Sequence, residues 1–420
     1  MVDIKQLHKP IHKKPKKEAK TLLSILFVVL PFIDALNGFL VVNGFIPEGG
    51  VFSPSQLARM LLSLYLVVFL YDRNVSKVLY FFILYLFLVE VVASFFHLNL
   101  MAFIFGAVYS YKITYLILLY LTLNFMVNDE QDIAMLCKYI YYNLLIIAAF
   151  LFFSSITGLG NSTYGHGFGT KSFFSSGNGL GLYLGVFTFY LIAMKHINAF
   201  KIPAYKLAFI SCSIALIGSK AALLLCVLNL FFIVYLSKYR YIFLGCVFAF
   251  IYYMQNEFSE AFSLLFDVII TRFEKAENIW MYLGSGRIEY IVHAYDVFMA
   301  QIPSAGRVLF GMGAFTSFQN PALVLAFDTL ETDLFDLFFM YGFLFTFLYF
   351  LFFVVGVIGL RKHKLLLCCF TLLYLHSILA GHVLFNGMSS IPLVVLFLMS
   401  KKITTKETNK PEMAVEKSLD

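Results

Sequence analysis

Long apolar runs separated by short polar connections cover most of the chain. Runs rich in Phe, Leu, Ile, Val and Tyr recur with a length of about twenty residues, which an α-helix needs to cross roughly 30 Å of hydrocarbon. Because apolar and polar residues do not alternate within them, the runs exclude a transmembrane β-barrel. Their number predicts about twelve transmembrane helices. The runs lie near residues 21–42, 55–71, 78–96, 100–126, 133–157, 178–194, 203–218, 220–236, 239–256, 333–360, 365–380 and 384–400.

One polar stretch, from Gln255 to Asp333, interrupts this pattern between the ninth and tenth runs. It contains Arg272, Arg287 and several carboxylates, which a segment that only anchors the chain does not need. We therefore predict a large extracytoplasmic loop, residues 257–332, that binds a ligand or carries out chemistry at the membrane surface.

The distribution of basic residues predicts the orientation in the membrane. Lys and Arg residues are concentrated before the first run, in alternate connections and after the last run, whereas the connections 43–54, 97–99 and 381–383 contain none. Since positively charged connections stay in the cytoplasm, both termini are predicted to be cytoplasmic. The predicted organisation is a basic tail (1–20), helices one to nine (21–256), the extracytoplasmic loop (257–332), helices ten to twelve (333–400) and a disordered tail (401–420).

Composition favours an all-α polytopic membrane protein. Of the 420 residues, 61% are hydrophobic and only 13% are charged, whereas a soluble domain carries about 25% charged residues. The net charge of +7 comes largely from the tails and short connections, so it does not indicate nucleic-acid binding. The six cysteines lie in or beside apolar runs without the spacing of metal ligands, which predicts buried thiols and no metal site.

Four ionisable residues fall within predicted helices, where a charge is costly and therefore often functional. Asp34 and Arg59 lie towards the outer ends of the first two runs, and they either pair across the bundle or line a cavity. Glu90 and Lys112 lie in the third and fourth runs, and we expect them to form a buried couple.

Two glycine-containing segments lie at predicted outer ends of helices. In Gly218-Ser219-Lys220, the ammonium group either extends to the membrane interface or points into an outward cavity and holds an anion. A helix that starts after Ser219 would also attract an anion there. The second segment, 169–181, includes Asn178 and lacks the residue order of a nucleotide phosphate loop. Its small residues predict close approach of another helix or a sugar.

Side chains suited to anion binding and proton transfer occur late in the polar stretch. Arg287 offers a planar donor fork that matches phosphate or pyrophosphate. Glu331 and Asp333 lie where the chain re-enters the membrane, and either is a candidate general base for a hydroxyl group. Asp336 would share the helix face of Asp333.

This arrangement resembles the O-antigen polymerase and ligase superfamily of bacterial cell-surface polysaccharide assembly. The resemblance covers roughly residues 20–400 and rests on the topology together with short motifs in the order typical of the family. The motifs are Ser176-Gly177-Asn178, Gly218-Ser219-Lys220, Gly284-Ser285-Gly286-Arg287, Phe310-Gly311-Met312-Gly313, Glu331-Thr332-Asp333 and Tyr341-Gly342.

The resemblance implies a glycosyltransferase of the bacterial cytoplasmic membrane that requires neither a metal nor another cofactor. Its substrates would be polyprenyl-pyrophosphate-linked oligosaccharides as donor and acceptor, and its further partners membrane lipids and a chain-length regulator. Carried over to this chain, Lys220 and Arg287 neutralise the pyrophosphate, while Glu331 or Asp333 holds or deprotonates the acceptor hydroxyl. The remaining predicted substrate-binding residues are Arg272, Arg59 and Asn178.

Three functions remain open at this point. Many ligases of the family carry arginine at the position of Lys220 and histidine at that of Glu331, and the glutamate favours a polymerase of repeat units. A ligase that moves finished glycan to a lipid or wall acceptor is one alternative. A lipid-linked oligosaccharide flippase is another, and it would need charges deep between two similar halves.

Overall fold

The structure is a computed structural model, and it is 81% helical. It describes residues 16–47, 53–73, 77–97, 100–163, 169–238, 287–300, 305–314 and 330–408, with the single positions 240, 241, 245, 252 and 274. The helices are α1 (Lys16–Ser24), α2 (Leu30–Val42), α3 (Pro54–Tyr71), α4 (Lys77–His97), α5 (Leu100–Met126), α6 (Glu130–Thr157), α7 (Gly177–His196), α8 (Ala204–Ala215), α9 (Lys220–Tyr235), α10 (Arg287–Ala300), α11 (Ala305–Phe310), α12 (Asp333–Leu360), α13 (Lys364–Ala380) and α14 (Ser390–Thr408). A π-helical segment, Ile25–Val29, joins α1 to α2, and β1 (Asn161–Ser162) pairs antiparallel with β2 (Thr170–Ser172).

Every predicted apolar run except the ninth falls on a described helix, and most of the ninth (239–256) lies outside the described residues. Among the described residues, six helical segments are long and apolar enough to cross a membrane, which is consistent with a membrane protein. Twelve crossings, the large loop and the orientation remain predictions. The six segments are Lys17–Val42, Pro54–Tyr71, Phe103–Met126, Glu130–Thr157, Gly177–His196 and Asp333–Leu360.

The last helix differs from its predicted bounds of 384–400. It begins at Ser390 because the side chain of Asn386 accepts two backbone N–H groups of the preceding loop, at 3.0 and 3.2 Å. It continues to Thr408, into the tail that was expected to be disordered. Lys402 anchors this extension, since its Nζ donates to the carbonyl oxygen of Asn124 at 2.8 Å.

A short hairpin also departs from the expected all-helical chain. Asn161 of β1 pairs with Ser172 of β2. The Oγ atom of Ser172 accepts a hydrogen bond from Ser154 of α6 at 2.8 Å. The hairpin is thereby attached to the end of α6 and leads the chain into α7.

Proline removes one backbone hydrogen bond near the start of α2, and a side chain of another helix replaces it. Pro31 has no N–H group to donate to the carbonyl oxygen of Phe27, four residues earlier. Asn143 of α6 donates to that oxygen at 2.7 Å, and its own side-chain oxygen accepts from the hydroxyl of Tyr183 in α7 at 2.7 Å. This buried chain of hydrogen bonds connects the first helices to the centre of the bundle.

Helix α7 lies at that centre and is almost completely buried. Its glycines determine how closely α9 approaches. A Cβ atom at Gly181 would lie 2.9 Å from the Cβ of Ala222, and one at Gly185 would lie 2.6 Å from Leu225. The expectation that small residues here permit close helix approach is confirmed.

The turn Gly311–Gly313 packs into a kink of α12. Gly342 interrupts the helical backbone with a φ of 78°, and the N–H of Gly313 donates to the carbonyl oxygen of Met340 at 2.9 Å. A Cβ atom at Gly311 or at Gly342 would lie 2.3 Å from an opposing backbone oxygen. Both positions therefore require glycine for this contact.

Glu90 of α4 holds the same turn from the other side. Its buried carboxylate accepts the backbone N–H of Ala314 at 3.1 and 3.2 Å. Lys112 instead lies over the ring of Tyr109, 4.3 Å from the ring centroid. Glu90 therefore holds the backbone of the turn, and its expected couple with Lys112 is not seen among the described residues.

Candidate functional site

A cavity of about 670 Å³, here called the Arg287 cavity, lies where α7, α9 and α10 begin and α13 ends. This volume is within the range of small-molecule sites. Its polar lining residues are Asn178, Lys220, Arg287, Tyr290, Glu331, His376 and His382. Its apolar lining residues are mainly Leu182, Leu224, Leu225, Leu228, Leu372, Leu373, Leu375 and Leu379.

Three polar residues of this cavity stand at the starts of helices. Lys220 and Arg287 are the first residues of α9 and α10, and Asn178 is the second residue of α7. Ser176 and Ser219 precede α7 and α9, and each accepts one backbone N–H of the helix that follows, at 3.2 and 3.3 Å. Because backbone N–H groups and the helix dipole favour negative charge at helix starts, this end of the cavity suits an anion.

Arg287, Glu331 and His382 form a cluster in the lining of the cavity. The Nη2 of Arg287 donates to the Oε2 of Glu331 at 2.7 Å, and the Nε2 of His382 lies 3.7 Å from the same oxygen. The Glu331 side chain is 45% exposed, whereas that of Arg287 is 13% exposed. A carboxylate that faces the cavity is thus held by a largely buried cation.

The backbone of this cluster is unusual. Glu331 and His382 have φ angles of 57° and 61°, in the left-handed region that residues other than glycine seldom adopt. A Cβ atom at Gly381 would lie 2.5 Å from the carbonyl carbon of Glu331, so the two segments touch through their backbones. Such conformations persist where the surrounding structure holds them, and they concentrate at functional sites.

Two buried aspartates hold these segments in place. The Oδ2 of Asp333 accepts the hydroxyl of Ser377 at 2.7 Å and the N–H groups of the two residues after His382 at 3.0 and 3.1 Å. The Oδ1 of Asp336 accepts the N–H of Leu330 at 2.8 Å. Neither aspartate lines the described cavity. Asp333 therefore has the geometry of a positioning residue and not that of the predicted alternative base.

The surroundings of Glu331 stabilise its charged form. Interaction with His382 contributes most, and the charge of Arg287 adds to it. Together they outweigh partial burial and hold the pKa of Glu331 at about 2, below its ordinary value of 4.5. A carboxylate with so low a pKa is a weak base. Glu331 is therefore better suited to orient and counterbalance a neighbouring group than to accept a proton.

Three buried nitrogens of the Arg287 cavity make no hydrogen bond within the described part of the chain. They are the Nε of Arg287 and the Nε2 atoms of His376 and His382. Since buried polar atoms normally have a partner, these nitrogens are available to a bound ligand.

The structure brings together four of the predicted site residues and places two others outside their cavity. Asn178, Lys220, Arg287 and Glu331 line one cavity. Asp333 lies behind it, Arg59 lines a second cavity, and Arg272 is outside the described residues.

Sequence reasoning missed His376, His382 and Tyr290. His382 occupies the short connection 381–383, which was noted only for its lack of basic residues. A histidine directly after a glycine at a predicted outer helix end was an available signal for it.

Comparisons with protein-family models, with curated proteins and with solved structures find no match to this chain. Among the described residues, no group of three or more His, Cys, Asp or Glu side chains is arranged to hold a metal ion. The resemblance to the O-antigen polymerase and ligase superfamily and the absence of a metal requirement both remain predictions.

Proposed function

We propose that this protein is a glycosyltransferase that joins polyprenyl-pyrophosphate-linked oligosaccharide repeat units at the outer face of a bacterial cytoplasmic membrane. The observation that carries the proposal is the Arg287 cavity, because its lining combines two cations with many leucine side chains. A lipid-linked pyrophosphate requires both features in one site.

The polar lining residues suit the pyrophosphate. Lys220 supplies a point charge, and Arg287 supplies a buried guanidinium whose Nε–H has no partner in the described structure. As the glycosyl bond breaks, negative charge develops on the leaving lipid pyrophosphate. Cations fixed in a partly dry site stabilise that charge without having to reorganise.

His382 is the side chain best placed to accept the proton. In the proposed reaction the acceptor hydroxyl oxygen attacks the anomeric carbon, and the bond from that carbon to the pyrophosphate oxygen breaks. The lipid pyrophosphate leaves with the electron pair, and the hydroxyl proton passes to the imidazole of His382. Imidazole is the commonest group in such transfers. Glu331, kept ionised beside it, stabilises the resulting imidazolium.

A flippase is a poorer match to the described residues. Such a transporter would need its charges deep between two similar halves, whereas Lys220, Arg287, Glu331 and His382 all lie at one end of the bundle. A ligase would use the same chemistry with another acceptor, and we favour the polymerase because of the glutamate at position 331.

Polysaccharide size in a deletion strain tests the proposal. We expect single repeat units on the carrier in the deletion strain, and long chains only after complementation with the wild type. The Arg287→Ala variant should restore no long chains. Arg73→Ala is the matched control, because this arginine pairs with Glu18 at 2.9 Å outside both cavities.

Two other outcomes would support the alternative functions. Long polymer that accumulates on the carrier would indicate a ligase, and repeat units trapped at the cytoplasmic face would indicate a flippase. Full activity of correctly inserted Arg287→Ala would remove Arg287 from the site.

A further inference from the structure

A second cavity of about 330 Å³, here called the Arg59 cavity, lies on the other side of the first turn of α7. Asn178 lines the Arg287 cavity, and the next residue, Gly179, lines the Arg59 cavity. The loop before α14 is divided in the same way, with His382 in the first cavity and Asn386 in the second. One helical turn and one loop therefore separate the contents of the two cavities.

The positive charge of Arg59 in this second cavity is already neutralised by a carboxylate. Its two terminal nitrogens donate to the two carboxylate oxygens of Asp34 at 2.7 and 2.6 Å, and its Nε donates to the carbonyl oxygen of Gly387 at 3.3 Å. A guanidinium so engaged is not available to a pyrophosphate. Lys112 adds a positive charge elsewhere in the wall.

The wall also presents acceptors that need donors. The side-chain oxygens of Asn37 and Gln56 are buried and make no hydrogen bond with any described residue. Both residues line the cavity, together with the aromatic rings of Tyr111 and Phe385. Buried amide oxygens without donors are uncommon, and a ligand rich in hydroxyl groups would satisfy them. The rings offer apolar surface for the faces of such a ligand.

We propose that the Arg59 cavity binds the sugars of the acceptor glycan. The ligand class follows from the unsatisfied amide oxygens, the aromatic rings and the paired charges. The acceptor role rests on the proposed function, because the first turn of α7 and the loop before α14 border both cavities, with His382 in one cavity and Asn386 in the other. The donor's pyrophosphate would occupy the Arg287 cavity at the same time.

Equilibrium binding tests the ligand class without catalysis. The probe is the lipid-free repeat-unit oligosaccharide, released from the carrier by mild acid, labelled at its reducing end and added to the purified full-length protein. We expect Gln56→Leu and Asn37→Leu each to weaken binding by about tenfold, since each removes one hydrogen bond to the sugar. Arg287→Ala should bind the probe as the wild type does.

Stability measurements keep this test interpretable. Because the leucine variants remove a buried acceptor that lacks a partner, their melting temperatures should equal or exceed that of the wild type. Gln56→Glu keeps an acceptor oxygen and should retain binding. Equal binding by wild type and both leucine variants, or no binding by the wild type, would refute the proposed sugar site.

A transfer assay with lipid-linked donor and lipid-free acceptor then tests the role. Gln56→Leu should raise the acceptor KM and leave the donor KM unchanged, whereas a change in the donor KM alone would overturn the acceptor assignment. If the wild type transfers glycan but the leucine variants bind normally, this inference fails and the proposed function stands. If sugar binding depends on Gln56 but no transfer occurs, the sugar site stands and the proposed function fails.

Discussion

The two cavities at this end of the bundle use arginine in opposite ways. Arg59 is clamped by both oxygens of Asp34, and the pair is almost completely buried. Arg287 gives one nitrogen to Glu331, a carboxylate that is itself 45% exposed, and keeps its Nε free of any described partner. A fully paired charge contributes to structure, whereas a partly paired charge beside open volume can act on a ligand. Counting basic residues in a cavity is therefore less informative than asking which donors are already in use.

The comparison predicts its largest effect for Arg59→Ala. This change would leave Asp34 buried without its partner, which should lower the free energy of unfolding by about 3–5 kcal/mol. Denaturation in mixed micelles measures the loss, and the double variant Asp34→Asn with Arg59→Gln should recover much of it. A loss of sugar transfer without any loss of stability would mean that Arg59 acts on the substrate directly.

A smaller effect, on the rate of sugar transfer and not on stability, is expected when His382 is substituted. Removal of a general base typically lowers the rate by about 100-fold or more, so His382→Ala should lose at least that much transfer activity. Added imidazole should restore part of the activity in single-turnover assays. Glu331→Gln should retain more activity than His382→Ala, since its role is to stabilise charge. If imidazole has no effect and Glu331→Gln is the less active variant, Glu331 is the base.

The smallest effect concerns stability in acid. The pKa of Glu331 in the folded protein is about 2, below the ordinary value of 4.5. Because the folded-state pKa is lowered, the ionised group contributes stability above about pH 4.5, and this contribution disappears as the pH falls towards 2. Solvent screening keeps it modest at a half-exposed group. The melting temperature of the wild type should fall more over this range than that of Glu331→Gln, and parallel curves would show that the charge of Glu331 adds nothing to stability.

The structure also shows how far a short motif can be interpreted from sequence alone. Glu331 and Asp333 are two residues apart and looked equivalent as candidate bases. Glu331 precedes α12 with a left-handed backbone and faces the cavity, whereas Asp333 starts the helix and is buried among N–H groups of the loop after His382. Sequence spacing could not separate these roles, because the hydrogen-bond partners of Asp333 lie about fifty residues away in the chain.

His382 shows the same limit of interpretation from sequence, because its role depends on residues far away in the chain. The glycine before it is the one local signal in the sequence, and its chemical meaning comes from Glu331 and Arg287. Those two residues are themselves 44 positions apart and meet only because α10 and the start of α12 border one cavity.

Local physical chemistry determined the helices of this protein. In a membrane, an apolar run of sufficient length forms a helix, since a helix satisfies the backbone groups of its interior within the segment itself. The glycines of α7 were likewise readable as points of close approach. Tertiary structure decided which charges are paired and which carboxylate faces the cavity. Those outcomes depend on hydrogen bonds and packing between residues far apart in the chain, and no local pattern encodes them.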